Sequence, residues 1–153
     1  MANYVGGVIT PLTVPQLLAF DAYVNDLAPA GISTATISRT ADLLKLYLKV
    51  YYDPLQIKAN GESLSQPGVF PVQVAITNYL TTLEFGGVLV LTKLIDAIQA
   101  VDGVVNPIIT SASARFGAIP YSPIVESYLA DAGYMVIDSA FPLSTTITYV
   151  ASV

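Results

Sequence analysis

The stretch from Leu43 to Tyr52 constrains the fold more than any other part of the chain. Leu44, Leu46, Leu48, Val50 and Tyr52 fall on one face of an extended strand, and Lys45, Tyr47, Lys49 and Tyr51 fall on the other. Such unbroken alternation requires a sheet with one face on an apolar core. The second face is amphipathic, because lysine stems and tyrosine rings cover apolar surface while their tips stay wet. It can meet either solvent or a partner.

The flanking sequence supplies the rest of an α+β fold. Residues Ile32 to Arg39, rich in Thr and Ile, are expected to pair with this strand as a hairpin. Asp53-Pro54 breaks the strand, and Asn60-Gly61 marks a tight turn. Leu55 to Lys58 and Glu62 to Leu64 flank that turn, so a small projecting β-ribbon is expected. Apolar residues on a protruding tip need something to cover them. Leu55, Ile57 and Leu64 are therefore expected to reach a neighbouring subunit, and Tyr47 and Tyr51 complete the candidate partner-binding set.

Helices are expected at three places. Thr13-Val14-Pro15-Gln16 reads as a capping box with Pro in the first turn, followed by Leu17, Phe20, Val24 and Leu27 at helical spacing and stopped by Pro29 and Gly31. Val72, Ile76, Tyr79, Leu80 and Leu83 form a second stripe. After Phe85-Gly86-Gly87, Thr92 can cap a third helix carrying Leu94, Ile95, Ile98 and Val101, with Gly103 as its stop. Val104 to Ala114 reads as a strand whose Pro107 points to an edge or bulge. Ile124 to Leu129, Tyr134 to Asp138 and Thr145 to Val150 read as shorter strands, with Asp131-Ala132-Gly133 as a turn between the first two. The expected architecture is a mixed or largely antiparallel sheet with two central helices on one face, an N-terminal helix and the ribbon. Residues 1–12 are expected to form an extended arm, and residues 13–153 a single domain.

Composition bears on function by what is missing. Histidine and cysteine are both absent from the 153 residues. That removes the commonest general base, the serine triad, thiolate chemistry and most zinc or iron sites. The eleven acids contain no Asp-x-Asp pair or calcium-loop pattern. The pairs Gly6-Gly7 and Gly86-Gly87 lack the frame of a phosphate loop and read as turns or hinges. No cofactor and no metal is expected. The six cations, Arg39, Lys45, Lys49, Lys58, Lys93 and Arg115, are scattered in a chain of net charge −5, so direct nucleic-acid binding is not expected. No apolar run approaches the roughly 20 residues of a membrane span, and no charged segment precedes an apolar one at the start, so neither membrane insertion nor a signal peptide is expected.

What remains is a surface with little charge. Hydrophobic residues make up 54% of the chain and charged residues 11%, against about 25% charged in an ordinary domain. Ten tyrosines with no tryptophan add large contact area with polar tips. Each tyrosine alone is most simply a core-edge residue, but their number on a thinly charged chain favours an interface. The expectation is a non-catalytic subunit whose surface is covered by neighbours.

Several blocks resemble a phage tail family. They are Ala41-Asp42-Leu43-Leu44-Lys45-Leu46, Val50-Tyr51-Tyr52-Asp53-Pro54-Leu55, Ala59-Asn60-Gly61-Glu62, Ala75-Ile76-Thr77-Asn78-Tyr79-Leu80, Leu94-Ile95-Asp96-Ala97-Ile98-Gln99, Val101-Asp102-Gly103-Val104 and Ala132-Gly133-Tyr134-Met135. They are similar to the C-terminal part of baseplate J-like, or baseplate-wedge-like, virion proteins of Bacteroidetes phages. Larger members carry additional N-terminal domains, and this chain is expected to be nearly reduced to the shared domain. The resemblance implies a virion structural protein of a tail ring, hub or baseplate, assembled in the host cytoplasm from copies of itself and other tail or neck proteins. It implies no catalytic residues. A subunit of a phage-tail-like contractile injection device is the alternative, and an enzyme with an unrecognised carboxylate site is the third reading.

Overall fold

The computed structural model describes residues 2–5, 8–29, 32, 34–83 and 87–152. Strands β1 (Ala2–Val5) and β2 (Val8–Pro11) precede helix α1 (Val14–Leu27), strand β3 (Asp42–Tyr52) and helix α2 (Pro71–Thr82). Strand β4 (Val88–Val90) runs directly into α3 (Leu91–Gln99), which is followed by β5 (Val104–Arg115), β6 (Ser122–Pro123) and β7 (Ser127–Leu129). Strand β8 (Met135–Ile137), the short helix α4 (Leu143–Thr146) and β9 (Ile147–Ala151) close the chain.

The alternating stretch is the centre of a mixed five-stranded sheet, so the fold is α+β. Antiparallel β5 occupies one edge of β3 and carries β6 beyond it. The other edge is shared by two short strands in tandem, both parallel to β3. β8 pairs with Asp42 to Leu44, and β9 pairs with Leu48 to Tyr52. Strand β5 holds two irregularities, where Thr110 and Val105 are skipped in the register. The first lies opposite Tyr47, whose carbonyl accepts from Thr110 Oγ1 at 3.1 Å. The second lies two residues from Pro107, which fits the expected bulge.

The inner face of β3 is fully buried, with Leu44, Leu46 and Val50 at zero exposure. Helix α2 brings Val72, Ile76 and Leu80 to it, and α3 brings Leu91, Leu94 and Ile98. These positions recur every three to four residues, so each helix turns one stripe to the core. Ala112 and Ala114 of β5 lie opposite Leu46 and Leu44, and their small side chains leave room for α3. The hydroxyl of Tyr79 bridges α2 to the α3 side, donating to Val90 O at 3.2 Å and accepting from Val90 N at 3.4 Å. Helix α3 begins one residue before Thr92, after Val90 and without a side-chain cap, and it ends at Ala100 rather than at Gly103.

Of the segment Ile32 to Arg39, the described residues, 32 and 34–39, do not form the expected strand. Residues 34–40 are irregular, because β5 on one edge and β8 and β9 on the other leave β3 no free edge. The segment runs along α1 instead. Thr36 N donates to Asp21 Oδ1 at 3.2 Å, and Thr34 Oγ1 donates to Asn25 Oδ1 at 2.8 Å. Gln16 Oε1 accepts from Thr13 N at 3.0 Å, as a capping box requires. The expected arm is extended but pairs with itself as the β1–β2 hairpin. The expected turns at Gly6-Gly7 and Phe85-Gly86, and the helix stop at Gly31, lie outside the described residues. The strand expected over Ile124 to Leu129 is shorter, with β7 pairing β4 in a separate two-stranded sheet, and Thr145-Thr146 belong to α4.

The ribbon also differs from expectation. It is reduced to a single bridge, Ile57 to Ser63, around the Asn60-Gly61 turn, and it folds back onto the core. Ile57 is 1% exposed and belongs to the central cluster, so it cannot reach a neighbour. Gly61 lies against the ring of Tyr149 with φ at +85°, where a Cβ would overlap that ring. Glu62 ties the loop from within: Oε1 accepts from Gly68 N at 2.8 Å, and Oε2 lies 3.0 Å from Lys58 Nζ. Those contacts, led by the Gly68 amide, hold its carboxyl below the usual carboxylate range. A hairpin signal cannot tell which side of a ribbon faces inward, and here the long branched side chain wins its place in the core. Ile57→Ala is therefore expected to lower unfolding free energy by about 2–5 kcal/mol. Leu55→Asp, at a position 84% exposed, should change it by about 0.5 kcal/mol or less. Urea denaturation of the two variants checks this, and equal losses would place Ile57 outside the core.

Candidate interaction surface

The outer face of the sheet follows from the same alternation that builds the core. Leu43, Lys45, Tyr47, Lys49 and Tyr51 all point away from α2 and α3 and are half-exposed. The register sets Ser113, Ser111, Ile108 and Asn106 of β5 on one side of them, and Thr148 and Val150 of β9 on the other. No acidic residue stands among these positions. The face is therefore partly apolar and cationic, on a chain whose net charge is −5.

Its lysines are held down by aromatic rings. Lys45 Nζ lies 4.1 Å from the Phe141 ring centre, 5.4 Å from Tyr47 and 5.8 Å from Tyr121. Lys49 Nζ lies 5.0 Å from Tyr51. Each such contact contributes about 0.5–1 kcal/mol where water reaches it. Among the described residues the two ion pairs are Lys58–Glu62 and Arg115–Asp138, so neither Lys45 nor Lys49 meets a carboxylate. Both ammonium groups remain available to an acidic partner. Tyr121 and Phe141 pack edge to face, with centroids 6.2 Å apart at 83°, and wall the face at one end.

Two buried carboxylates fix this arrangement at the end where β3 begins. Asp138 is 4% exposed. It accepts the Tyr121 hydroxyl, Arg115 Nη2 at 3.3 Å and Ala140 N at 2.9 Å. The Tyr121 hydrogen bond, helped by Ala140 and Arg115, outweighs burial and holds its carboxyl below the usual carboxylate range. Burial, with the neighbouring Asp138 carboxylate, pushes the Tyr121 hydroxyl up. Asp42 is wholly buried at the start of β3. Its oxygens accept the Tyr128 hydroxyl at 2.6 Å, Asp131 N at 3.0 Å and Ala132 N at 2.9 Å, which ties the loop before β8 to the central strand. These donors compensate a charge that would be costly without them.

The five residues expected from sequence do not form one surface. Tyr47 and Tyr51 lie on the sheet face. Leu55 and Leu64 are exposed and line a separate small cleft with Gln56 and Asp102, while Ile57 is in the core. Phe141 and Tyr121 belong to the face and were not expected there. They lie in irregular chain, far in sequence from Lys45, and no local pattern marks them. Of the other tyrosines, Tyr52 and Tyr134 are buried, and Tyr79, Tyr128 and Tyr149 pack against the core. The buried Tyr149 hydroxyl finds no hydrogen-bond partner among the described residues, and burial pushes it up to about 12.

Two larger clefts are chiefly apolar. One, of about 660 Å³, lies between α2 and the β8–α4 segment and is lined by Phe70, Val74, Ile137 and Leu143. The other, of about 640 Å³, lies beside the start of α3. Among the described residues no group of three or more Asp or Glu is placed to hold a metal ion, and no helix is long and apolar enough to cross a membrane. Compared with known proteins, the chain matches no family model, no curated protein and no solved structure.

Asp138 makes stability depend on acid. Its folded value lies below its unfolded one, so its contribution is complete above about pH 4 and is lost as pH falls through the folded value. Asp138→Asn should cost about 1–3 kcal/mol at neutral pH and flatten the decline below about pH 4. Thermal melts from pH 7 to pH 2 check this; unchanged curves would show that the carboxylate does not hold the face together.

Proposed function

We propose that the chain is a non-catalytic structural subunit that works by assembling with copies of itself and with other proteins. The observation that carries this reading is the outer sheet face, where two lysines without a carboxylate partner among the described residues stand beside two half-exposed tyrosines and the exposed Ile108. The solvated face of a monomeric sheet is commonly polar, with charges of both signs interspersed. A second support is α1, which has no buried residue and exposes Val14, Leu18, Tyr23 and Leu27.

The sequence blocks around Tyr51-Tyr52-Asp53-Pro54 and Asp96-Ala97-Ile98-Gln99 extend this reading to a tail ring, hub or baseplate of a phage particle. In that setting the subunit supplies rigid geometry around a channel, and its partners are further copies and other tail or neck proteins. An assembly role needs no cofactor and no reacting group.

Light scattering of the full chain after size exclusion tests the reading. The expected result is a closed oligomer of one defined mass that persists on dilution to micromolar concentration. A monomer of 16.2 kDa at every concentration would contradict self-association. Mass spectrometry of purified particles then tests the tail assignment, with the expected result that the chain co-purifies with portal and tail proteins.

A further inference from the structure

We propose that helix α1 of one copy docks on the outer sheet face of the next copy. This rests on the assembly reading above and names the two surfaces that meet.

The two surfaces complement each other in charge. The first 38 residues carry Asp21 and Asp26 and no basic residue, whereas the sheet face carries Lys45 and Lys49 and no acid. They also complement each other in polarity. Tyr23 and Leu27, one turn apart beside Asp26, are about two-thirds exposed on one face of α1, and tyrosine rings with Ile108 offer them apolar area. Length matches as well. Fourteen helical residues span about 21 Å, and the outer residues of β3 from Leu43 to Tyr51 span about 26 Å.

The chain path favours a second copy over the helix's own sheet. Residues 34 and 36 are tied to α1 through Asn25 and Asp21, and Leu12 N donates to Ser38 Oγ at 2.9 Å. At the other end Tyr134 Oη donates to Arg39 O at 2.9 Å, and Asp42 N donates to Tyr134 O at 3.2 Å. Little chain is left with which the helix could turn back over β3. Because helix and face are different surfaces, their contact is heterologous and propagates from copy to copy. It closes into a ring where the rotation allows.

The chain contains no cysteine, so single thiols report the contact directly. Leu27→Cys copies mixed with Ile108→Cys copies and treated with a short bismaleimide should give cross-linked dimers. The yield should exceed that of Leu27→Cys mixed with Val125→Cys, an exposed control, by about tenfold. Asp26→Lys and Lys49→Glu should each weaken assembly several-fold while circular dichroism stays unchanged, and an equal mixture of the two should restore it. Equal cross-linking yields in a chain that still oligomerises would overturn the docking and leave the assembly reading standing. Cross-links confined to single chains in the Leu27→Cys/Ile108→Cys double variant would also overturn it. A monomer at all concentrations would overturn both.

Discussion

Burial of one face of strand β3 is the constraint on which the rest of the structure depends. Five apolar side chains leave water along a single strand, each worth about 1.5–3 kcal/mol when fully buried. Nothing local can cover them, so helices α2 and α3 must pack there and β5 must present the small Ala112 and Ala114 opposite Leu46 and Leu44. A strand of eleven residues also needs its backbone groups paired on both edges. One long antiparallel strand satisfies one edge, and β8 and β9 in tandem satisfy the other. Period two then does the remainder: whatever faces the core on even positions fixes what faces outward on odd ones.

That rule explains what could be read from the sequence. The inner row from Leu44 to Tyr52, the stripe Val72-Ile76-Leu80 and the outer pair Tyr47 and Tyr51 are local patterns, and each stands where its periodicity puts it. What could not be read depended on distant residues. Residues 32–39 have strand-like composition, but Met135 to Ile137 and Ile147 to Ala151 take the parallel edge of β3. Ile57 sits beside a turn signal that is silent on facing, and Tyr149, almost ninety residues later, decides how closely Gly61 approaches. Phe141 reaches Lys45 only because α4 carries the chain between β8 and β9 along the edge of β3. The wholly buried Asp42 was legible only as a neighbour of the strand, and its role depends on amides near residue 131.

The same division organises the functional account. The core side of β3 carries long aliphatic residues, and the chain has few charges with which to dress the other side. What stands there is lysine and tyrosine, side chains that tolerate water yet lose little when covered. Aromatic contacts to Lys45 and Lys49 pre-order the surface, so less side-chain entropy is lost when a partner arrives. Helix α1 is the counterpart, acidic and apolar and without a core of its own. A chain that carries both halves of a contact on surfaces that do not coincide has the geometry of a building block, and missing histidine and cysteine are no handicap to that task.

The central claim is that the outer sheet face is covered in the working state. Hydroxyl-radical footprinting of the full chain across a range of concentrations measures that covering residue by residue. The account predicts that labelling of Tyr47, Tyr51 and Tyr23 falls together as concentration rises, while Leu55 and Val125 stay labelled throughout. Labelling of Tyr47 and Tyr51 that stays constant from dilute chain to intact assembly would contradict it.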